Sequence, residues 1–351
     1  MSVLVVIVNY RTPGLTIDCL KSLAHEIARV PGARCVVADN LSPDDSVPQI
    51  AQAIKDLGFS DWCTLVPLPK NGGFAYGNNE AIRASLPLPA GEGWGEGACS
   101  DLKHSLQSSP AAPTLSQHEA EHDCDLIWLL NPDTIVLPGA LVELVDFMNA
   151  HPTVGIAGGR AVNRDDTVRR SSFRFHSPLG ELENALQISL VSKLLQKHVV
   201  APTIPNQAAR VDWVSGASMM VRKEVFDKIG LLDDGYFMYF EETDFCLKAL
   251  RAGFTCWYVP TSRIIHLVGQ SSGVTGAQRG LKRRPKYWFN SRRRYFVSNF
   301  GRCTFHTASL LWLLTYPIGR LWLRLRRKRR DDPPMLWRDF LRYNYFPCSR
   351  K

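Results

Sequence analysis
The chain has 351 residues, 45% of them hydrophobic and 21% charged, an ordinary globular composition with ample length for one large domain or two. Nine cysteines lie scattered without a CxxC pair or zinc spacing, which excludes a disulfide or zinc framework; they read as reduced core thiols in a cytosolic setting. The net charge of +9 hides an asymmetry: residues 245–330 hold 19 Lys plus Arg and no acid, a basic block of the kind that meets nucleic acid or an anionic membrane.

The first apolar run, VLVVIVNY (3–10), has no basic leader and no small-residue cleavage site, so it reads as a strand buried on both faces rather than a signal peptide. Thr12-Pro13 supplies a cap and an N1 proline for a helix carrying Leu20, Leu23, Ala24 and Ile27. CVVADN (35–40) is a second strand ending in Asp39. A helix near 47–57 and a strand near 62–66 follow, then a glycine turn opening a helix, NGGFAYGNNEAIRA (71–84). Residues 86–124 are rich in Pro, Gly, Ser and Ala without periodicity and read as a disordered surface insertion, with His104, His118 and His122 as solvated loop residues. DLIWLLNPDT (125–134) is a buried strand ending in Asp133, LPGALVELVDFMNAHP (137–152) a helix and VGIAGG (154–159) a further strand. This alternation predicts an α/β fold with a parallel sheet and helices on both faces. Ligands of such sheets bind beyond the carboxyl ends of the strands, where Asn9, Asp39 and Asp133 lie.

Four stretches carry candidate chemistry. In NPD (131–133) the strand fixes the Asp133 carboxylate at the sheet edge, for a divalent cation and a diphosphate or simply to cap an Asn-Pro turn. The glycines of NGGFAYGN (71–78) fit neither GxGxxG, which argues against a Rossmann oxidoreductase, nor a P-loop, but they would place backbone N–H groups near a diphosphate. Gly216-Ala217 would let a substrate approach the backbone, or make a tight bend under a sheet. YFMYFEETDF (236–245) sets Glu241, Glu242 and Asp244 among five aromatics. Acids favour a helix N-terminus, worth roughly 0.3–1 kcal/mol each, but three acids among aromatics exceed what capping needs and suggest a partly buried general base. His266, after the strand-like SRII, would be a further ligand to a cation at Asp133, or a structural histidine.

Taken in order, VVIVNY, VVADN, NGGFAYGNN, LLNPDT, WVSGASMMVRKEVFDKIG, LLDDGYFMYFEETDFCLKALRAGF and IIHLVGQS resemble the family 2 glycosyltransferases, the inverting GT-A group, and most closely its bacterial rhamnosyltransferase-type members. The resemblance covers most of 3–300 outside 86–124. It implies a GT-A (Rossmann-like), mostly parallel mixed sheet flanked by helices over 1–275. It implies that Asp39 recognises the nucleotide base, that Val8, Asn9 and Tyr10 line the same pocket, and that Asn71, Gly72, Gly73 and Asn78 flank the nucleotide. Asp133 matches the last acid of the family's DxD motif, with Asn131 in place of the first Asp, so Mg²⁺ or Mn²⁺ would rest on Asp133 and His266. Trp213, Gly216 and Ala217 would face the acceptor. Glu242 stands where the family has its catalytic Asp, with Glu241 as the alternate. The implied reaction moves a sugar, rhamnose from dTDP-rhamnose by likeness, from a dTDP- or UDP-linked donor to a glycan or polyprenyl-linked saccharide of a cell-surface polysaccharide. An inactive nucleotide-sugar-binding scaffold of the same fold is the alternative.

The remaining stretch, 276–351, reads as a basic, aromatic-rich helical tail. SLLWLLTYPIG (309–319) is too short for a span of roughly 20 residues. RLWLRLRRKRR (320–330) adds a Leu/Trp stripe, which suits an amphipathic helix on an anionic membrane surface rather than on nucleic acid. The expected location is cytoplasmic, peripheral to the inner face of the cell membrane.

Overall fold
A computed structural model describes residues 1–86, 124–267, 282–328 and 332–346. Most of the predicted 86–124 insertion, with its three histidines, lies outside the described residues, as do 276–281 of the tail. Four parallel strands open the chain: β1 (Val3–Asn9), β2 (Arg34–Asp39), β3 (Cys63–Pro67) and β4 (Leu126–Leu130). Helices α1 (Pro13–Ile27), α2 (Ser46–Asp56) and α3 (Gly73–Ser85) separate the first of them. Next come β5 (Thr134–Val136), α4 (Ala140–Ala150), β6 (Val154–Val162), β7 (Ser172–Phe173), α5 (Pro178–Leu186) and α6 (Ser189–Leu194). Strands β8 (Ala209–Val211), β9 (Trp213–Val214) and β10 (Ser218–Arg222) precede α7 (Lys223–Ile229), α8 (Glu241–Arg251) and β11 (Thr255–His266). Helices α9 (Lys286–Leu325) and α10 (Leu336–Tyr345) complete the described chain.

The main sheet runs β3-β2-β1-β4-β10-β6-β11-β5, with β8 also paired to β11, and β7-β9 form a separate ribbon. All seven residues of β1 are buried, and they divide by parity as the strand period of two requires. Val3, Val5 and Ile7 face α1 and α4 through Leu20, Leu23, Leu141 and Met148. Leu4 and Val6 face α3, α7 and α8 through Ile82, Phe226 and Phe245. Each such aliphatic contributes about 1.5–3 kcal/mol relative to exposure.

Strand directions then assemble one edge. β1, β2 and β4 all end there, at Asn9, Asp39 and Leu130. β10 runs antiparallel to β4, so its start meets the end of β4 (Ser218 opposite Leu130), which delivers Gly216 and Ala217 to the same edge. β11 is parallel to β6 and pairs its last residue, His266, with Thr134.

The basic tail begins as part of the globule. Gly301 (φ 83°) breaks α9 into two segments. Tyr295 and Phe296 of the first segment and Phe305 just beyond the break pack on Tyr236, Phe240 and Leu247, while Trp312 and Leu313 of the second pack with Ala185, Phe289 and Phe340. Fully buried Arg292 bonds Glu181 at 3.1 Å and Ser309 at 3.0 Å, while exposed Arg294 holds Asp233 at the surface through two bonds of 2.8 and 2.7 Å. Among the described residues, no helix is long and apolar enough to cross a membrane.

Candidate active site
The site starts where β1 and β2 end. Buried Asn9 donates Nδ2 to Asp39 Oδ2 at 2.6 Å, and its Oδ1 accepts from the hydroxyls of Thr12 (3.1 Å) and Thr16 (2.9 Å). Thr12 thus orients Asn9 instead of capping α1 with its side chain, whereas Pro13 sits at N1 as predicted. Asp39 also accepts from the Ser42 amide (2.8 Å) and hydroxyl (2.7 Å), so its carboxylate is fixed on three sides. Val8 packs beneath α3, where a Cβ on Gly77 would stand 2.6 Å from its Cγ1, and half-buried Tyr10 forms the turn.

Asn40, which sequence reasoning passed over, ties this corner to the glycine loop. Its Nδ2 donates to the Gly73 carbonyl at 3.0 Å and its Oδ1 accepts the Gly72 amide at 3.3 Å. The Gly73 amide donates to Asn71 Oδ1 at 3.1 Å, and the Phe74 amide to the Phe237 carbonyl at 2.9 Å. The loop amides expected to face a diphosphate are therefore engaged within the protein. Gly73 has φ +89°, and a Cβ there would stand 1.9 Å from the Phe237 oxygen, so only glycine fits. Asn78 donates to the Phe74 carbonyl at 2.9 Å within α3, while Asn79 makes two bonds to the main chain of Leu232. Helix α3 and the segment 232–237 are laced together, and that segment leads into the acids.

Across the edge, buried Asp133 and partly exposed His266 meet, with Oδ1 and Nε2 3.4 Å apart; Asn131 Nδ2 lies 3.4 Å from the same ring nitrogen. A hard carboxylate oxygen beside an imidazole nitrogen fits Mg²⁺ or Mn²⁺ whose other ligands are phosphate and water oxygens. Among the described residues no group of three or more His, Cys, Asp or Glu forms a complete cage. The Asn131 amide donates to the Ala217 carbonyl at 3.2 Å, which joins this corner to β10. Trp213 donates its indole N–H to the Arg174 carbonyl at 2.9 Å and stacks on Phe173, ring centroids 4.3 Å apart.

Helix α8 opens with the acids, after Tyr239 (φ 71°) and Phe240 (φ 70°). Two successive aromatics in the left-handed region cost roughly 1–2 kcal/mol each. Tyr236 and Phe240, packed on Tyr295 and Phe296, hold that bend. Burial drives Glu241 well above the usual carboxylate range and the Glu242 charge adds to it, against its own amide and that of Tyr239. Burial also raises Glu242, offset in part by its own amide and by the N–H of Gly216. Each Glu keeps Oε2 buried without a hydrogen-bond partner among the described residues. The partners of Glu241 are local, whereas Glu242 reaches Gly216 on the opposite side of the edge. Asp244 is committed elsewhere, to Lys248 at 2.7 Å and Asn299 at 2.5 Å.

One edge of the α/β sheet thus carries a fixed carboxylate at the end of β2, an Asp–His corner after β4 and two acids facing β10. The family profile described as "Glycosyltransferase like family 2" matches residues 2–294, and the chain belongs to that family. The N-acetylglucosaminyl-diphospho-decaprenol L-rhamnosyltransferase of Mycobacterium tuberculosis is 27% identical over 159 residues, 42% of this chain and 49% of that protein. Rhamnosyltransferase WbbL of Escherichia coli K12 is 29% identical over 149 residues, 41% of this chain and 53% of that protein. The low-salt glycan biosynthesis hexosyltransferase Agl10 of Haloferax volcanii is 26% identical over 253 residues, 70% of this chain and 61% of that protein. The chain thus spans about half to three fifths of the length of these relatives. In fold it matches the mannosyltransferase PcManGT from Pyrobaculum calidifontis, solved in complex with GDP-Man and Mn²⁺. That match has a TM-score of 0.52 at 14% identity and covers 93% of this chain and 74% of that one. The architecture is GT-A.

Proposed function
We propose that the chain transfers a sugar from a nucleoside-diphosphate donor to an acceptor hydroxyl with inversion at the anomeric carbon. The observation that carries this is half-buried Glu242, whose Oε2 is buried without a partner among the described residues and whose carboxylate faces the Gly216 amide, on the edge that also carries Asp39 and Asp133. Glu242 takes the proton from the acceptor hydroxyl as its oxygen bonds to the anomeric carbon. The bond from that carbon to the diphosphate breaks, and the diphosphate leaves with the electron pair. Asp39, oriented by Asn9 and Ser42, accepts hydrogen bonds from the base, with Val8 and Tyr10 beside it. The Asn71–Gly73 loop and Asn78 shape the nucleotide side, and Trp213, Gly216 and Ala217 the acceptor side. A bound Mg²⁺ or Mn²⁺ at Asp133 and His266 would supply positive charge against the departing diphosphate.

The donor we favour is dTDP-rhamnose, because two relatives are rhamnosyltransferases. The acceptor is a glycan or lipid-linked saccharide of a cell-surface polysaccharide, a choice supported by the diphospho-decaprenol substrate in the name of the M. tuberculosis protein. Residues 1–275 form the transferase domain, and 276–351 hold it at the cytoplasmic face of the membrane. The test is a thermal-shift panel with dTDP, UDP, GDP and NAD, with and without Mn²⁺. The expected result is a Mn²⁺-dependent shift with one nucleoside diphosphate; no shift with any of them overturns the proposal.

A further inference from the structure
The second segment of α9 is apolar on both sides. Its inner face is packed: Phe305, Ala308, Trp312 and Leu313 are buried, and Gly319 lies so close to the end of α5 that a Cβ would stand 2.2 Å from the Ala185 oxygen. Its outer face carries Leu310 (49% exposed), Leu314 (68%), Ile318 (55%), Leu321 (59%) and Leu325 (72%). Spacings of four, four, three and four put these five side chains on one stripe about 22 Å long. Arg320 does not interrupt it, because it turns inward to Asp332 at 3.1 Å. Helix α6, which starts three residues after Leu186, likewise exposes Leu190 and Leu194 one turn apart.

Charge says what covers this face. Exposed Arg302 and His306 precede the stripe, and exposed Arg324, Arg326, Arg327 and Lys328 follow it. The whole of α9 contains no acid. A second copy of the chain laid on the stripe would therefore bring no carboxylate from its own α9 to meet these cations, and a nucleic-acid backbone has nothing to place against leucines. Since α5 and α10 occupy the inner face, the segment cannot be surrounded by lipid, but it can lie along a bilayer surface.

We propose that Leu310, Leu314, Ile318, Leu321 and Leu325 with their basic flanks dock the protein flat on an anionic lipid bilayer. This deepens the membrane location given above and rests on that reading for its purpose, not for its physics. The test is flotation of the full chain with phosphatidylglycerol vesicles and with pure phosphatidylcholine vesicles. The chain is expected to float with the former, and Leu314→Gln/Leu321→Gln is expected to lower the bound fraction about tenfold. Arg326→Glu/Arg327→Glu is expected to do the same, with binding weakened by salt. All these side chains are exposed, so unchanged thermal unfolding accompanies the loss. Equal flotation of the variants, or none of the parent, overturns the proposal. So does a parent dimer that the leucine variant converts to monomer without vesicle binding, or binding of RNA in place of vesicles. The nucleoside-diphosphate thermal shift is read on the same samples: if it is absent while flotation persists, the transferase reading fails and the docking surface stands.

Discussion

Gly73→Ala tests the link between the glycine loop and the acid helix. The added Cβ would stand 1.9 Å from the Phe237 oxygen, against an ordinary contact of 3.4 Å or more, so the two backbones must part and the 2.9 Å Phe74–Phe237 bond is lost. Alanine at φ +89° costs about 1–2 kcal/mol, and the lost bond about 0.5–1.5 kcal/mol. The sum is roughly 1.5–3.5 kcal/mol, or about 2–5 °C of Tm for a chain of this size. Gly32→Ala is the control: its φ is +78° but nothing lies within 4 Å of the new Cβ, so it carries the backbone term alone, about 1–3 °C. Scanning calorimetry on the two variants, with titrations of the nucleoside diphosphate, separates the terms. Gly73→Ala should fall further than Gly32→Ala and lose donor affinity as well. Equal Tm losses would refute the clamp.

Glu242→Gln should lower the transfer rate about 10²–10⁴-fold while nucleotide binding persists, read by single-turnover kinetics; if Glu241→Gln shows the larger loss instead, Glu241 is the base. Because burial raises both carboxylates, the acid limb of the pH–rate profile should lie above the ordinary carboxylate range. Between that range and the raised values the folded chain keeps protons that the unfolded chain has released. Stability should therefore fall as pH rises through this window, and Glu241→Gln should flatten the slope in urea titrations. Asp133→Ala should abolish the Mn²⁺-dependent part of the nucleotide thermal shift and leave the metal-free melting curve nearly unchanged. Burial opposes ionisation of Glu181, yet Arg292 and His176 hold its carboxyl below the ordinary range, so its contribution is present at neutral pH and lost as pH falls through that depressed value. Arg292→Met, which strands this buried carboxylate, should cost about 3–5 kcal/mol by urea unfolding, and Arg292→Met/Glu181→Gln should recover much of it.

Local periodicity made the first half of the fold legible. The run VLVVIVN is β1, CVVAD fills β2, and both end on the residues singled out for binding, Asn9 and Asp39. The acids at the start of α8 were visible because Glu241 and Glu242 sit among aromatics just ahead of a helical pattern. What stayed hidden depends on pairing across long sequence separations. Nothing in SMMVR says that it inserts antiparallel between β4 and β6, yet that insertion carries Gly216 to Glu242. Asn40 looks like any residue after a strand until Gly72 and Gly73 arrive beside it. Arg292 and Arg293 read as surface charge, because their partners Glu181 and the carbonyls of Tyr343 and Asn344 come from distant segments.

The obstacle facing any side chain at position 73 is a main-chain carbonyl. Every amino acid brings that same atom to position 237. A defect introduced at Gly73 therefore has no second-site suppressor at position 237, whatever residue is tried there. Rescue has to come from a shift of the whole 232–237 strap, which Asn79 holds at Leu232. A selection for revertants should return glycine itself, or changes near Leu232, while the Phe237 side chain, 38% exposed, remains open to variation.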